Sequence, residues 1–196
     1  MKNIYLTLPT LLLSVLLLSA CSNTPTSLQL TPQLDVNIPT TKIESDKKWL
    51  LTSQDLRTER YLIAISSGDE VATLINESTS TRTLIEQTLQ THWLKQGHQF
   101  SNKKINGYQI DIQLLKLLAE VEQNTMNHET DINLVIKVEL KSESTIFSKT
   151  FRSHYEEKAP FSASVDDIAQ QLNKQLSQLL DQIVQDPEVN DKLAQL

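Results

Sequence analysis

Apolar and polar positions alternate along most of this chain, and the period of the alternation changes from segment to segment. Trp49-Leu50-Leu51-Thr52 reads as a short strand. Tyr61–Ile65 and Val71–Ile75 flank Ser66-Ser67-Gly68-Asp69, which predicts a hairpin with a glycine turn. After the N-cap residues Ser78–Thr83 the period becomes helical, through Leu84, Ile85, Leu89 and Trp93, and Gly97 supplies a stop. This predicts an amphipathic helix from about Thr81 to Gln96, with Thr83 and Glu86 in capping-box spacing. In residues 108–123, Tyr108, Ile110, Ile112 and Leu114 alternate as in a strand, and the apolar phase then shifts to Leu115, Leu117, Ala119 and Val121. A β-bulge produces such a shift. A helix through Ile110, Leu114, Leu117 and Val121 fits the same residues, but the β-branched start favours one long bulged strand.

Ile132, Leu134, Ile136, Val138 and Leu140 alternate with mostly polar neighbours, as a half-buried strand does. Phe147, Phe151 and Tyr155 share one parity in the next strand, over Ser144–Glu156. Three successive strands with short links predict an antiparallel meander. Ser164, with Asp166 and Asp167 behind it, opens a second amphipathic helix whose stripe is Ile168, Leu172, Leu176, Leu179 and Ile183. Asp186-Pro187 then starts a short terminal helix. The expected fold is α+β: an antiparallel sheet with a three-stranded meander, two amphipathic helices on one face and a short C-terminal helix.

The N-terminus follows a different pattern. Residues 1–20 carry one charged side chain, Lys2, and the apolar run Leu11–Leu18 is followed by Ser19-Ala20-Cys21. This is the layout of a secretory signal peptide. The run is eight residues, or fifteen counted from Ile4 across Pro9, against roughly 20 needed to span a bilayer. Leu18-Ser19-Ala20-Cys21 resembles a bacterial lipobox. That resemblance implies that Cys21 is acylated on sulfur, becomes the first residue after cleavage, and is acylated again on its new amine. Two or more chains anchor stably, at about 0.8 kcal/mol per buried CH₂. By the same resemblance, Ser22, where such lipoproteins use an aspartate as the inner-membrane retention signal, implies the outer membrane, facing the periplasm of a Gram-negative cell. The expected organisation is a signal peptide over 1–20, an acylated N-terminus and tether over 21–46, and one periplasmic α+β domain over 47–196. Residues 21–34 carry no charge and include Pro25 and Pro32, as an extended tether does. Leu28, Leu30, Leu34, Val36 and Ile38 hint at period two, so part of the tether is expected to pair as an edge strand.

Composition narrows the chemistry. The net charge of −6 becomes −7 once Lys2 is removed with the leader, which argues against broad nucleic-acid binding. Three scattered glycines exclude glycine-rich nucleotide cradles, so no nucleotide or other cofactor is expected. The single cysteine excludes an internal disulfide. His92, His98, His128 and His154 show no metal-ligand spacing, and no metal site is expected. No nucleophile elbow is present, and Asp111 between Ile110 and Ile112 is expected on a solvated strand face. Asp55 and Arg57 are the polar pair to watch. Two apart on a strand they share a side, and they can pair with each other or with a ligand carboxylate; the simpler reading is a turn-stabilising aspartate with a solvated arginine. Phe147, Phe151, Tyr155 and Phe161 are expected to pack in the core.

Taken in order, Asp55-Leu56-Arg57-Thr58, Leu117-x-Ala119-x-Val121-x-Gln123, and a C-terminal block make the chain similar to the YajG family of bacterial lipoproteins. That block is Tyr155, Phe161-x-Ala163-Ser164, Ile168-Ala169, Asn173, Leu176 and Gln185-Asp186. The resemblance implies a lipid-anchored envelope protein and supports a strand over 108–123. The function expected is a non-catalytic, outer-membrane-anchored module that contacts an envelope partner, protein or peptidoglycan. The alternative is an accessory lipoprotein of an envelope transport or assembly complex.

Overall fold

The computed structural model describes residues 25–35, 47–103 and 107–196. Eleven elements follow in order: β1 (Ser27–Leu28), β2 (Lys48–Asp55), β3 (Ile63–Ser67), β4 (Thr73–Glu77), α1 (Thr81–Gln96), β5 (Gln99–Phe100), β6 (Gln109–Gln123), β7 (Asn127–Lys141), β8 (Ile146–Pro160), α2 (Val165–Gln185) and α3 (Pro187–Gln195).

The meander is the frame. β6, β7 and β8 are each 15 residues long, about 50 Å at strand rise, and pair antiparallel along their whole lengths. The register of β6 shifts between Leu114 and Lys116. This bulge moves the core face from Ile110, Ile112 and Leu114 to Leu117, Ala119 and Val121, all buried.

The expected antiparallel sheet is in fact mixed and curled. On its free side β6 is served by two shorter strands laid end to end. β2 pairs parallel with residues 109–114, and β3 pairs parallel with residues 119–123. The β3–β4 hairpin is antiparallel, while β1 adds to β4 and β5 to β2 in parallel. A parallel neighbour needs a crossover. Helix α1, lying between the β3–β4 hairpin and β6, is that crossover. Both long helices pack on the same side, α1 against β2 and α2 against β7 and β8, and they touch each other. The core they enclose includes Trp49, Leu89, Trp93, Ile112, Leu134 and Leu176.

Helix ends follow local chemistry. The cap of α1 is Ser80, which accepts from the Thr83 amide at 3.4 Å, so the expected Thr83–Glu86 box does not form. Glu86 instead pairs with Arg82 one turn back, at 3.2 Å. Gly97 ends the helix at φ 105°, where glycine alone is unstrained. Ser164 and Asp186 cap α2 and α3.

The segment expected to be a tether is docked over residues 25–35. Beyond β1 it runs extended along α2, in the direction of the helix. The amides of Thr31, Gln33 and Asp35 donate to Asn173 Oδ1, Ser177 Oγ and Asp181 Oδ2 at 2.6, 3.0 and 3.5 Å. Two residues of extended chain advance about 6.6 Å, and four residues of helix about 6 Å. The two ladders therefore nearly match, and their slow drift accounts for the lengthening bonds. Pro32 falls between donors and leaves no amide unpaired. Leu30 is buried, and Leu28 and Leu34 pack beside it on the core. The expected strand positions Val36 and Ile38 lie outside the described residues, as does Cys21.

Candidate functional site

Asp55 and Arg57 meet at the seam of the sheet, where β2 ends, the chain steps across the β6 bulge, and β3 begins. The Leu56 amide still donates to the Leu114 carbonyl at 2.9 Å. The next side chain, Arg57, turns inward and is 1% exposed. Its guanidinium grips Asp55 along one edge, Nε to Oδ1 at 2.9 Å and Nη2 to Oδ2 at 2.8 Å. Nη2 also donates to Glu77 Oε2 at 3.2 Å. Glu77 in turn accepts the Thr81 amide at 3.0 Å, tying the start of α1 to the seam. Of the two pairings the spacing allows, the mutual one is formed, and the arginine is buried rather than solvated. One buried cation between two carboxylates is the arrangement that keeps such a group tolerable in the interior.

The electrostatics agree with the geometry. The Arg57 hydrogen bonds hold the Asp55 carboxyl below its ordinary range against the opposing effect of burial. Burial disfavours the Arg57 charge, but Asp55 and Glu77 together outweigh it, and its pKa rises. Since Asp55 fills the bidentate edge, a ligand carboxylate has only Nη1 left, a buried nitrogen with no hydrogen-bond partner.

Asp111 points away from the core, as expected, yet it is 2% exposed rather than solvated. Thr52 Oγ1, Gln54 Nε2 and Gln113 Nε2 donate to it at 3.1, 3.0 and 3.0 Å. Across the strand pair stands Glu139, held below the ordinary carboxylate range by Lys141 and Lys137. Three amide or hydroxyl donors on one aspartate and two lysines on its neighbour make a self-satisfied polar layer on the helix-free face.

Sequence spacing missed one cluster. Asp131 lies opposite Glu156, and Asn133 opposite His154. On the helix-free face, His154 Nδ1 lies 3.0 Å from Asn133 Oδ1 and 3.3 Å from Asp131 Oδ1, while Nε2 lies 3.1 Å from Glu156 Oε1. The β7–β8 register alone could have found it. The imidazole offers one nitrogen to each carboxylate and is about half exposed. The three groups lie close enough to share a metal ion, although binding one at His154 requires breaking one of these bonds. The other histidines turn inward or to backbone: His98 is buried and its pKa is lowered by burial, while His92 and His128 face the carbonyls of Thr88 and Phe161.

Of the four aromatic residues expected in the core, Phe151 is buried, and Phe147 and Tyr155 pack against it partly exposed. Phe161 is 73% exposed, a departure from expectation. It sits past the end of β8 at φ 67°, in a turn that carries its ring off the sheet.

Among the described residues, the curled mixed sheet and its three helices make an α+β body. The chain belongs to the family described as uncharacterized lipoprotein, whose model matches residues 32–194. Two relatives, both named uncharacterized lipoprotein YajG, come from Escherichia coli strain K12 and from Escherichia coli O6:H1 strain CFT073. Each is 22% identical over 194 residues, covering 94% of this chain and 94% of the relative. The crystal structure of protein XCC0632 from Xanthomonas campestris is similar in fold, with a TM-score of 0.60 at 12% identity, covering 87% of this chain and 99% of that one. Among the described residues no helix is long and apolar enough to cross a membrane.

Proposed function

We propose that this protein is a non-catalytic module anchored through acylated Cys21 to the periplasmic face of the outer membrane, where it contacts an envelope partner, protein or peptidoglycan. The observation that carries the anchor is the position of the sole cysteine, directly after an apolar run too short to span a bilayer. Membership of a lipoprotein family supports it. A partner surface is offered by the helix-free face of β6, β7 and β8, which is polar, broad and not covered by any described element.

Metabolic labelling with a fatty-acid analogue tests the anchor. The wild type incorporates label and floats with outer-membrane vesicles, and Cys21→Ala does neither. A Cys21→Ala protein that stays in the membrane fraction sinks the anchor reading. Cross-linking in intact cells from positions on the helix-free face tests the partner. Capture of murein or of a murein-binding protein supports the proposal, while capture of a transporter subunit assigns the protein to a transport or assembly complex.

A further inference from the structure

We propose that one end of the sheet, carrying Val71, Met126 and Phe161, lies against the lipid surface that holds the anchor. The inference rests on the acylation of Cys21 proposed above, and adds to it an orientation and a second point of membrane contact.

The path of the chain sets the orientation. β1 runs parallel to β4, and the Asn76 amide donates to the Thr26 carbonyl at 2.9 Å. β4 starts at the β3–β4 turn and runs away from it, so the chain before Ser27 leads back toward that turn. Thr26 is level with Ile75, hence with Ile63, Ala119 and Ile132 across the strands. From that level the end of β3 at Ser67 is four residues away, about 13 Å. The opposite end of β7, at Lys141, is nine residues away, about 30 Å. Four residues separate Cys21 from Thr26, and the five Cα–Cα steps span at most about 18 Å. An anchored Cys21 therefore reaches the level of the β3–β4 turn and cannot reach the far end.

That near end carries three strongly exposed apolar groups, against one, Ile146, at the far end. Val71, Met126 and Phe161 are 96%, 79% and 73% exposed, the three most exposed large apolar side chains among the described residues. They come from three separate connections, β3–β4, β6–β7 and β8–α2. The register brings these together, since Ser67 pairs with Gln123 and Asn127 with Pro160. The Phe161 amide donates to the Met126 carbonyl at 2.8 Å, and Gln123 links Ser67 Oγ to the Ala163 amide. These bonds hold Phe161 in the left-handed region, which a bulky residue rarely adopts. The turn thus projects the ring outward instead of folding it onto α2.

Three apolar tips on a polar rim suit the headgroup boundary of a bilayer, where such groups enter shallowly. The acids beside them select the lipid. Asp69 and Glu70 precede Val71, and Glu122 stands one strand residue back from the tip, opposite Glu129, whose charge Lys158 balances. A zwitterionic surface is favoured, and added anionic lipid weakens the contact in a way that salt relieves.

The test uses the mature acylated protein in phosphatidylethanolamine–phosphatidylcholine vesicles containing brominated lipid. A thiol-linked fluorophore is placed at Val71→Cys, Met126→Cys or, as the far-end control, Ile146→Cys. All three sites are well exposed, so the labels do not disturb packing. Wild-type protein takes up no fluorophore, because its one cysteine is acylated. The expected result is quenching at positions 71 and 126 several-fold above that at 146, reduced by phosphatidylglycerol and partly restored by salt. Equal quenching at all three positions in protein that floats with the vesicles overturns the orientation and leaves the anchor standing. Labelling of wild-type Cys21, with protein that does not float, overturns the anchor itself and this inference with it.

Discussion

Leu30→Ala is the sharpest test of the docked N-terminal segment, because a tether and a packed element give opposite answers. Leu30 is 2% exposed and sits between two docking points, β1 on β4 and the three amides bonded along α2. Removing its isopropyl end deletes three carbons, roughly 2.4 kcal/mol of transfer free energy at about 0.8 per CH₂. A cavity adds to this where the walls cannot close. Here one wall is a single extended strand free to settle inward, so the value belongs at the low end, about 2–3 kcal/mol. A mobile tether predicts no more than about 0.5 kcal/mol, as for a surface site. Leu94→Ala, at a half-exposed position on α1, gives that surface reference.

Urea unfolding of the unacylated chain measures the loss, and limited proteolysis over residues 25–35 reports where it falls. If the segment peels away before the domain melts, the unfolding loss is capped at the docking free energy and cleavage in 25–35 rises in its place. Either signature supports docking. A loss near that of Leu94→Ala, with cleavage unchanged from wild type, refutes it.

Arg57→Met leaves Asp55 and Glu77 facing each other with little water, and about 3 kcal/mol is lost at neutral pH, the lower edge for breaking a buried pair since both acids are partly exposed. Asp55 has a folded pKa below its unfolded value of about 3.9, so the wild-type contribution is complete above about pH 5 and disappears as pH falls through the folded pKa; the acid limb of a stability profile therefore flattens in the variant, and parallel limbs contradict the ion pair. Asp181 is pushed the other way, upward by burial first and by Asp35 in addition, so its charged form destabilises the fold: Asp181→Asn raises the midpoint of thermal unfolding at pH 7, a gain that vanishes as pH drops below the unfolded pKa. Burial lowers the pKa of His98, so wild-type stability falls as pH drops through the unfolded value of about 6.5; His98→Gln removes that slope between pH 7 and 5, measured by denaturant titration at each pH.

The helices and the meander are legible in the sequence because each carries its own signal: a 3.6-residue stripe between caps in α1 and α2, and a two-residue alternation in β7. Even the β6 bulge is visible, as a phase change after Leu114. Parallel pairing of β2 and β3 with β6 leaves no such mark, since alternation is the same for either direction. The available clue is α1, whose length and place make it a crossover. Arg57 is unreadable for a different reason. Its partner Glu77 is twenty residues away, and only the abutment of two strands on one β6 edge creates the buried position. The Asp131, His154 and Glu156 cluster depends on hairpin register, which a short polar link does not specify. Several of the scattered residues that resemble the YajG family have structural roles: Ser164 and Asp186 cap helices, Asn173 receives the N-terminal segment, and Gln123 ties the meander to the turn before α2.

A docked N-terminal segment changes what an anchored domain can do. A free stretch from residue 21 to 46 lets a domain search a wide volume and meet partners in any orientation. With Thr26 already bound to β4, four residues lie between the proposed anchor and the fold, and on that proposal the domain has a near end and a far end relative to the bilayer. In the proposed orientation the meander strands, about 50 Å long, stand away from the surface. The helix-free face is presented sideways, with the Asp131–His154–Glu156 cluster in its membrane-proximal half and the Asp111–Glu139 layer in its distal half. A partner approaching that face meets its polar groups at fixed heights, and rigid positioning of this kind lowers the ordering cost of a contact that a flexible tether leaves to chance.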